Sequence, residues 1–163
     1  MSNFITIEEV KTIAFNGDVA TSQIPENYIE LAQEAHLRPA LGDDFFDRLD
    51  TSDTLTTYEE TLKAKLKKPL AFFVKFELLP HIGFKIDSGG IKINNAYQAE
   101  GVSDKQRDQV IKACLDTARK FFQIANRYMI KNKENLPYWI DSDAINERTA
   151  TNDGGIIIPN RLK

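Results

Sequence analysis

"LAFFVKFELLPHI", residues 70–82, decides the fold, because it is apolar on nearly every side of a helix. Such a segment is normally enclosed by its own domain or by a neighbouring subunit, so it predicts the central helix of a helical protein. Working backward, Tyr58, Leu62 and Leu66 recur at four-residue intervals from about Thr57. Pro69 then either kinks the rod or begins a new helix. Lys63, Lys65, Lys67 and Lys68 fall toward the end of that first half, where cations suit the helix dipole.

Working forward, the period changes from 3.6 to 2. In "FKIDSGGIKI", residues 84–93, Phe84 and Ile86 share a face, as do Ile91 and Ile93, with Gly89-Gly90 at the bend. That is a hairpin signal. A tight Gly-Gly turn would set Asp87 opposite Lys92 and Ile86 opposite Ile93. A longer loop would set Lys85 opposite Lys92, a like-charge pair, so the tight turn is the expected register. An isolated hairpin is marginal, and its Ile/Phe face must rest on helices or on another chain.

The other helices carry their own start and stop signals. Thr6 with Glu9 forms a capping box ahead of Ile7, Val10, Ile13 and Ala14, and Asn16-Gly17-Asp18 ends that helix. A second helix begins around Ile24-Pro25-Glu26 and carries Tyr28, Ile29, Ala32, Ala35 and His36 inward. Pro39 is expected to stop it at Arg38, with Gly42 as a joint. Asp43 and Asp44 then open a further helix backed by Phe45, Phe46 and Leu49. With Asp47 and Asp50 they read as helix-start and solvated acids, since the central glycine and terminal glutamate of a calcium loop are absent. Ser103 and Gln106 form another capping box, opening a helix over about 103–132. Its inward stripe is Val110, Ile111, Cys114, Leu115, Ala118, Phe121, Phe122, Ala125, Tyr128 and Met129.

The totals suit one soluble globular domain: 163 residues, 42% hydrophobic, 28% charged, ten phenylalanines and a formal charge of −3. A free-standing nucleic-acid binder is more often basic. One cysteine excludes an internal disulfide and a cysteine-rich zinc module. No basic-then-apolar leader and no apolar run near the ~20 residues of a membrane span is present, so no membrane partner is expected.

Chemistry is hard to build from what remains. His36 and His81 are the two histidines; His36 reads as a core or boundary residue, and His81 can pair with Glu77 one turn earlier. Cys114 occupies a core position. "DSGGIK" matches neither a dinucleotide fingerprint nor a phosphate loop, and Ser88 lacks a nucleophile-elbow setting. The reading is therefore no enzyme, no cofactor and no metal. What is left is interaction, through the hairpin positions Phe84, Ile86, Ile91 and Ile93, the aromatic pair Tyr138 and Trp139, and the terminal run Ile156, Ile157 and Ile158. The fold class expected is mainly α: a helical-bundle domain over 1–135 containing the hairpin 84–93, and an extended C-terminal arm over 136–163.

Four stretches also carry a family likeness: "ITIEEVK" (5–11), "YIELAQEAHLRPALGDDFFDRL" (28–49), "LAFFVKFELLPHIGFKIDSGGIKI" (70–93) and "ARKFFQIANRYM" (118–129). In wording and order, over roughly residues 4–140, they resemble head–tail connector (adaptor) proteins of tailed bacteriophages, the Bacteroides-phage and crAss-like type. The most distinctive part is "AQE.HLRP.LG" at 32–42. The resemblance implies a ring of copies, commonly twelve, beneath the portal protein. Such a ring extends the DNA channel and docks neck or tail proteins in a virion assembled in the host bacterial cytoplasm. Packaged double-stranded DNA would pass without sequence-specific binding, with Lys63, Lys67 and Lys68 as candidate channel contacts. Another neck or tail-completion protein, or a small DNA-binding regulator, is the alternative.

Overall fold

The computed structural model describes residues 3–17, 19–51, 54–81, 84–87, 90–93 and 104–139. The fold is mainly α. Helix α1 (Ile7–Phe15) starts as its capping box requires: Glu9 N–H donates to Thr6 Oγ1 at 3.2 Å, and Thr6 N–H donates to Glu9 Oε2 at 2.9 Å. It ends where Asn16 (φ 53°) and Gly17 (φ 84°) turn left-handed and Gly17 N–H returns to Lys11 O.

Pro39 does not stop the next rod. Helix α2 (Asn27–Ala32), a five-residue π-turn (Gln33–Leu37) and α3 (Arg38–Leu41) run together, and Arg38 itself is right-handed helical. This corrects the expected break at Arg38. In a regular helix the proline ring would meet the carbonyl four residues earlier. The π-turn widens the spiral just before it, with Arg38 N–H donating to Gln33 O five residues back. The rod ends at Gly42, whose φ of 84° disfavours any side chain. Gly42 O then accepts the N–H of Phe46 and starts α4 (Asp43–Thr51), which buries Phe45, Phe46 and Leu49.

Residues 70–78 of the quoted apolar stretch lie in α5 (Thr57–Leu78), unbroken through the buried Pro69; Leu79–His81 follow as a 3-10 turn, and Ile82 lies outside the described residues. Its all-round hydrophobicity has a simple cause: it is packed on two sides. Leu62, Leu66, Leu70, Phe73 and Val74 join a core with residues of α1, α2 and α4. Phe72 and Phe76 face the other way, toward Cys114, Val110 and Ile111 of α6 (Asp104–Lys131). Helix α6 spans about 42 Å at 1.5 Å per residue and runs antiparallel to α5: Tyr128 meets Tyr58, Phe121 meets Phe72, and Arg107 reaches Leu79 and Pro80. Of its expected stripe, Cys114, Ala118, Phe122, Ala125 and Met129 are buried, while Val110, Ile111, Leu115, Phe121 and Tyr128 are partly so. Each fully buried Leu or Phe contributes roughly 1.5–3 kcal/mol of transfer free energy. Ser103, its expected capping residue, lies outside the described residues.

Between α5 and α6 the backbone forms β1 (Phe84–Asp87) and β2 (Gly90–Ile93), paired antiparallel. The register is the one the charge rule disfavoured: Lys85 stands opposite Lys92, Ile86 opposite Ile91 and Phe84 opposite Ile93. That register sets two apolar positions opposite apolar ones against a single like-charge pair, each such term being worth about 0.2–1 kcal/mol. The tight-turn register would have set only one apolar pair opposite, Ile86 with Ile93.

The expected boundary lies at 135. Leu136 is fully buried and Trp139 is 6% exposed, both within the main core. The helical body therefore runs through at least Trp139. The rest of the expected arm, 140–163, lies outside the described residues.

Candidate interaction surface

Polar side chains inside the body form joints between helices. Gln33, at the start of the π-turn, is buried and accepts the backbone N–H of Phe4 at 2.8 Å. His36, 8% exposed, stacks on Phe73 (centroids 4.3 Å apart, planes at 9°), and its Nε2 lies 2.7 Å from Glu77 Oε1. The expected Glu77–His81 pair is thus replaced: Glu77 reaches across to His36, while His81 is exposed beside the Tyr28 ring. A buried imidazole 41 positions away draws the carboxylate more strongly than a solvated neighbour four positions on, beyond the end of α5.

Arg38 ties its rod to α4. It bonds Glu34, one turn back, and Asp47 at 2.8 Å, and its guanidinium lies 4.3 Å over the Phe46 ring. The Glu34 bond, then Asp47, hold that guanidinium above its ordinary pKa. So Asp47 is an ion-pair partner and Asp43 a more distant one at 3.9 Å, with Asp43 and Asp44 both exposed in the first turn of α4.

A further joint involves Glu59, which has no exposed surface. Its carboxylate accepts from Arg48 Nε and Nη2 and from the Thr56 N–H at 2.7 Å, and Glu59 N–H returns to Thr56 Oγ1. Burial is the largest influence and would raise the carboxyl; Arg48 and Thr56 together hold it below the usual value. Arg48 also lies 4.5 Å over the Tyr138 ring. This joint was missed on sequence, although Thr56-x-x-Glu59 is itself a capping-box spelling.

The lysines of α5 lie against aromatic rings. Lys63 donates to Leu49 O and sits 4.8 Å from the Phe4 centroid; Lys67 pairs with Glu9. Lys65 covers Tyr128 at 5.2 Å and Lys68 covers Phe121 at 5.7 Å. Lys75, largely buried, donates to Ala14 O at the end of α1 and has its pKa lowered, chiefly by burial. Cys114 donates its S–H to Phe72 O, and burial pushes its thiol up to about 12. Among the described residues no three His, Cys, Asp or Glu side chains gather as a metal site, and no helix is long and apolar enough to cross a membrane.

The outward face differs from the expected one. Tyr138 is 52% exposed, but Trp139, named with it as a contact residue, is buried in the chain's own main core. Phe84, Ile86, Ile91 and Ile93 occupy paired strand positions; Ile156, Ile157 and Ile158 lie outside the described residues. Leu31, Tyr58, Ile124 and Ile130 are large, exposed and apolar. Sequence reading passed over Leu31, Ile124 and Ile130 because each stands off its helix's inward stripe, and that offset was itself the signal.

The chain belongs to DUF6712, a family of unknown function, whose model matches residues 37–149. No curated protein and no solved structure matches it.

Proposed function

We propose that this chain is a structural virion protein, a head–tail connector that forms a ring beneath the portal protein. The ring extends the DNA channel and docks neck or tail proteins at the head–tail interface. One observation carries the reading: the buried ionisable groups are committed to helix-to-helix joints, while Leu31, Ile130 and Tyr138 point outward from the finished core. The sequence likeness supports it from a separate direction, since its most distinctive segment, 32–42, spans the rod with the π-turn. In a closed ring each subunit presents two different surfaces to its two neighbours. The ribbon β1–β2 suits one of them, because two strands alone are marginal and offer open edges. The terminal Ile156–Ile158 run is the second contact element, directed at a neighbour or the portal. DNA passes through the channel without sequence-specific binding.

The test is electron microscopy and native mass measurement of the chain with purified portal protein. A closed ring, about twelve copies by the family resemblance, is the expected outcome. A chain that stays single and leaves the portal bare rejects the reading. Steeply salt-dependent binding to free duplex would instead favour a DNA-binding regulator.

A further inference from the structure

The α5–α6 seam carries an apolar strip rimmed by cations. Tyr128 donates its hydroxyl to Tyr58 O at 3.3 Å, and Ile124, one turn before Tyr128, is 52% exposed beside it; Tyr58 is 41% exposed. Lys65 and Lys68 lie over Tyr128 and Phe121 along the same line. On α6 the row Lys120, Ile124, Arg127 and Lys131 has helical spacing, and all four are exposed. Against these cations the flanking helix positions hold the acids Glu60 and Asp116, so the row is net positive. An exposed apolar strip inside a basic rim calls for an acidic partner with apolar anchors.

That description fits the chain's own continuation. Residues 140–153, "IDSDAINERTATND", hold Asp141, Asp143, Glu147 and Asp153 against Arg148 alone, a net of −3, with Ile140 and Ile145 as anchors. The chain leaves the body at the matching end: Tyr138 lies under Arg48, Arg48 bonds Glu59, and Glu59 adjoins Tyr58. From Tyr128 back to Phe121 is about 10 Å of helix, whereas fourteen residues reach up to roughly 46–50 Å. The family match also continues past Trp139 to residue 149, so residues 140–149 of this stretch lie within the matched extent.

We propose that residues 140–153 dock along the α5–α6 seam of their own protomer, with acids on Lys65, Lys68, Lys120, Arg127 and Lys131 and isoleucines on Tyr58, Ile124 and Tyr128. A segment tethered beside its site has an effective concentration in the millimolar range, far above a second copy at micromolar protein. The docked segment holds the origin of the terminal Ile156–Ile158 run at a fixed place. The inference does not depend on the connector reading.

The experiment is zero-length carbodiimide cross-linking of the full-length chain, mixed equally from isotopically light and heavy protein and read by mass spectrometry. Lys67–Glu9, already an ion pair, is the internal control. Expected are links from Asp141, Asp143 or Glu147 to Lys65, Lys68, Lys120 or Lys131, within light or within heavy chains only. Their yield should fall several-fold from 0.1 to 1 M salt, as the screening length shortens from about 10 to 3 Å. They should vanish when Asp141→Asn, Asp143→Asn and Glu147→Gln are combined. A control link without tail links, mixed light–heavy links, or a yield indifferent to salt would each overturn the proposal.

Discussion

Arg48 and Glu59 form a two-pronged ion pair that fastens α4 to the first turn of α5, with Thr56 closing the other side of the carboxylate. The pair has a pH signature. Glu59 and Glu9 both have pKa values lowered below the ordinary 4.5; burial is the largest influence on Glu59 and opposes that shift, and the Lys67 bond is the largest on Glu9. Below the ordinary value the unfolded chain takes up protons first, so stability rises with pH across that window. Their contribution is complete above the unfolded pKa and is lost as pH falls through the folded values. Urea unfolding at pH 7 and pH 3.5 should show the loss, and Glu59→Gln should flatten the acid limb while lowering the midpoint at pH 7.

Trp139→Ala tests where the body ends. A ring that closes the core should cost about 3–5 kcal/mol on truncation, visible as a large drop in the urea midpoint. Tyr138→Ala, one position away but exposed, should cost less than about 1 kcal/mol. Equal and small effects would return residues 136–139 to an arm.

Cys114 should be inert while the protein is folded. With its thiol near 12 instead of the ordinary 9.0, the thiolate fraction at pH 8 falls about 10³-fold. Ellman's reagent should therefore react at least that much more slowly with native protein than with urea-unfolded protein.

Much of this architecture was legible before any coordinates. Residues 70–82 announced the central helix, Thr6/Glu9 its neighbour's start, and 110–129 the inward row of α6, because helical period and local caps are written within a few residues. What escaped depended on distant partners. Glu77 had a histidine four residues on and another 41 residues back, and sequence spacing ranks only the first. The hairpin register turned on weighing two apolar pairs against one repulsive pair, and Trp139 looked like an arm residue because polar text follows it. The candidate surface was less legible: Tyr138 was named from sequence, but the Tyr58–Ile124–Tyr128 seam arises from two helices brought side by side.

Removing residues 154–163 should leave the helical circular dichroism unchanged while weakening attachment to the portal protein. Unchanged portal affinity would reject the terminal isoleucines as a contact element without touching the seam, whose acids precede them.

The wide turn at Gln33–Leu37 has a consequence for how the rod tolerates change. One extra residue is accommodated there, so shortening the chain by a single position inside it, with Pro39 replaced as well, leaves later side chains aimed as before. The same deletion in the middle of α5 would swing Leu66, Leu70 and Phe73 a hundred degrees out of the core. Length variation in this rod should therefore gather at one address, ahead of the proline.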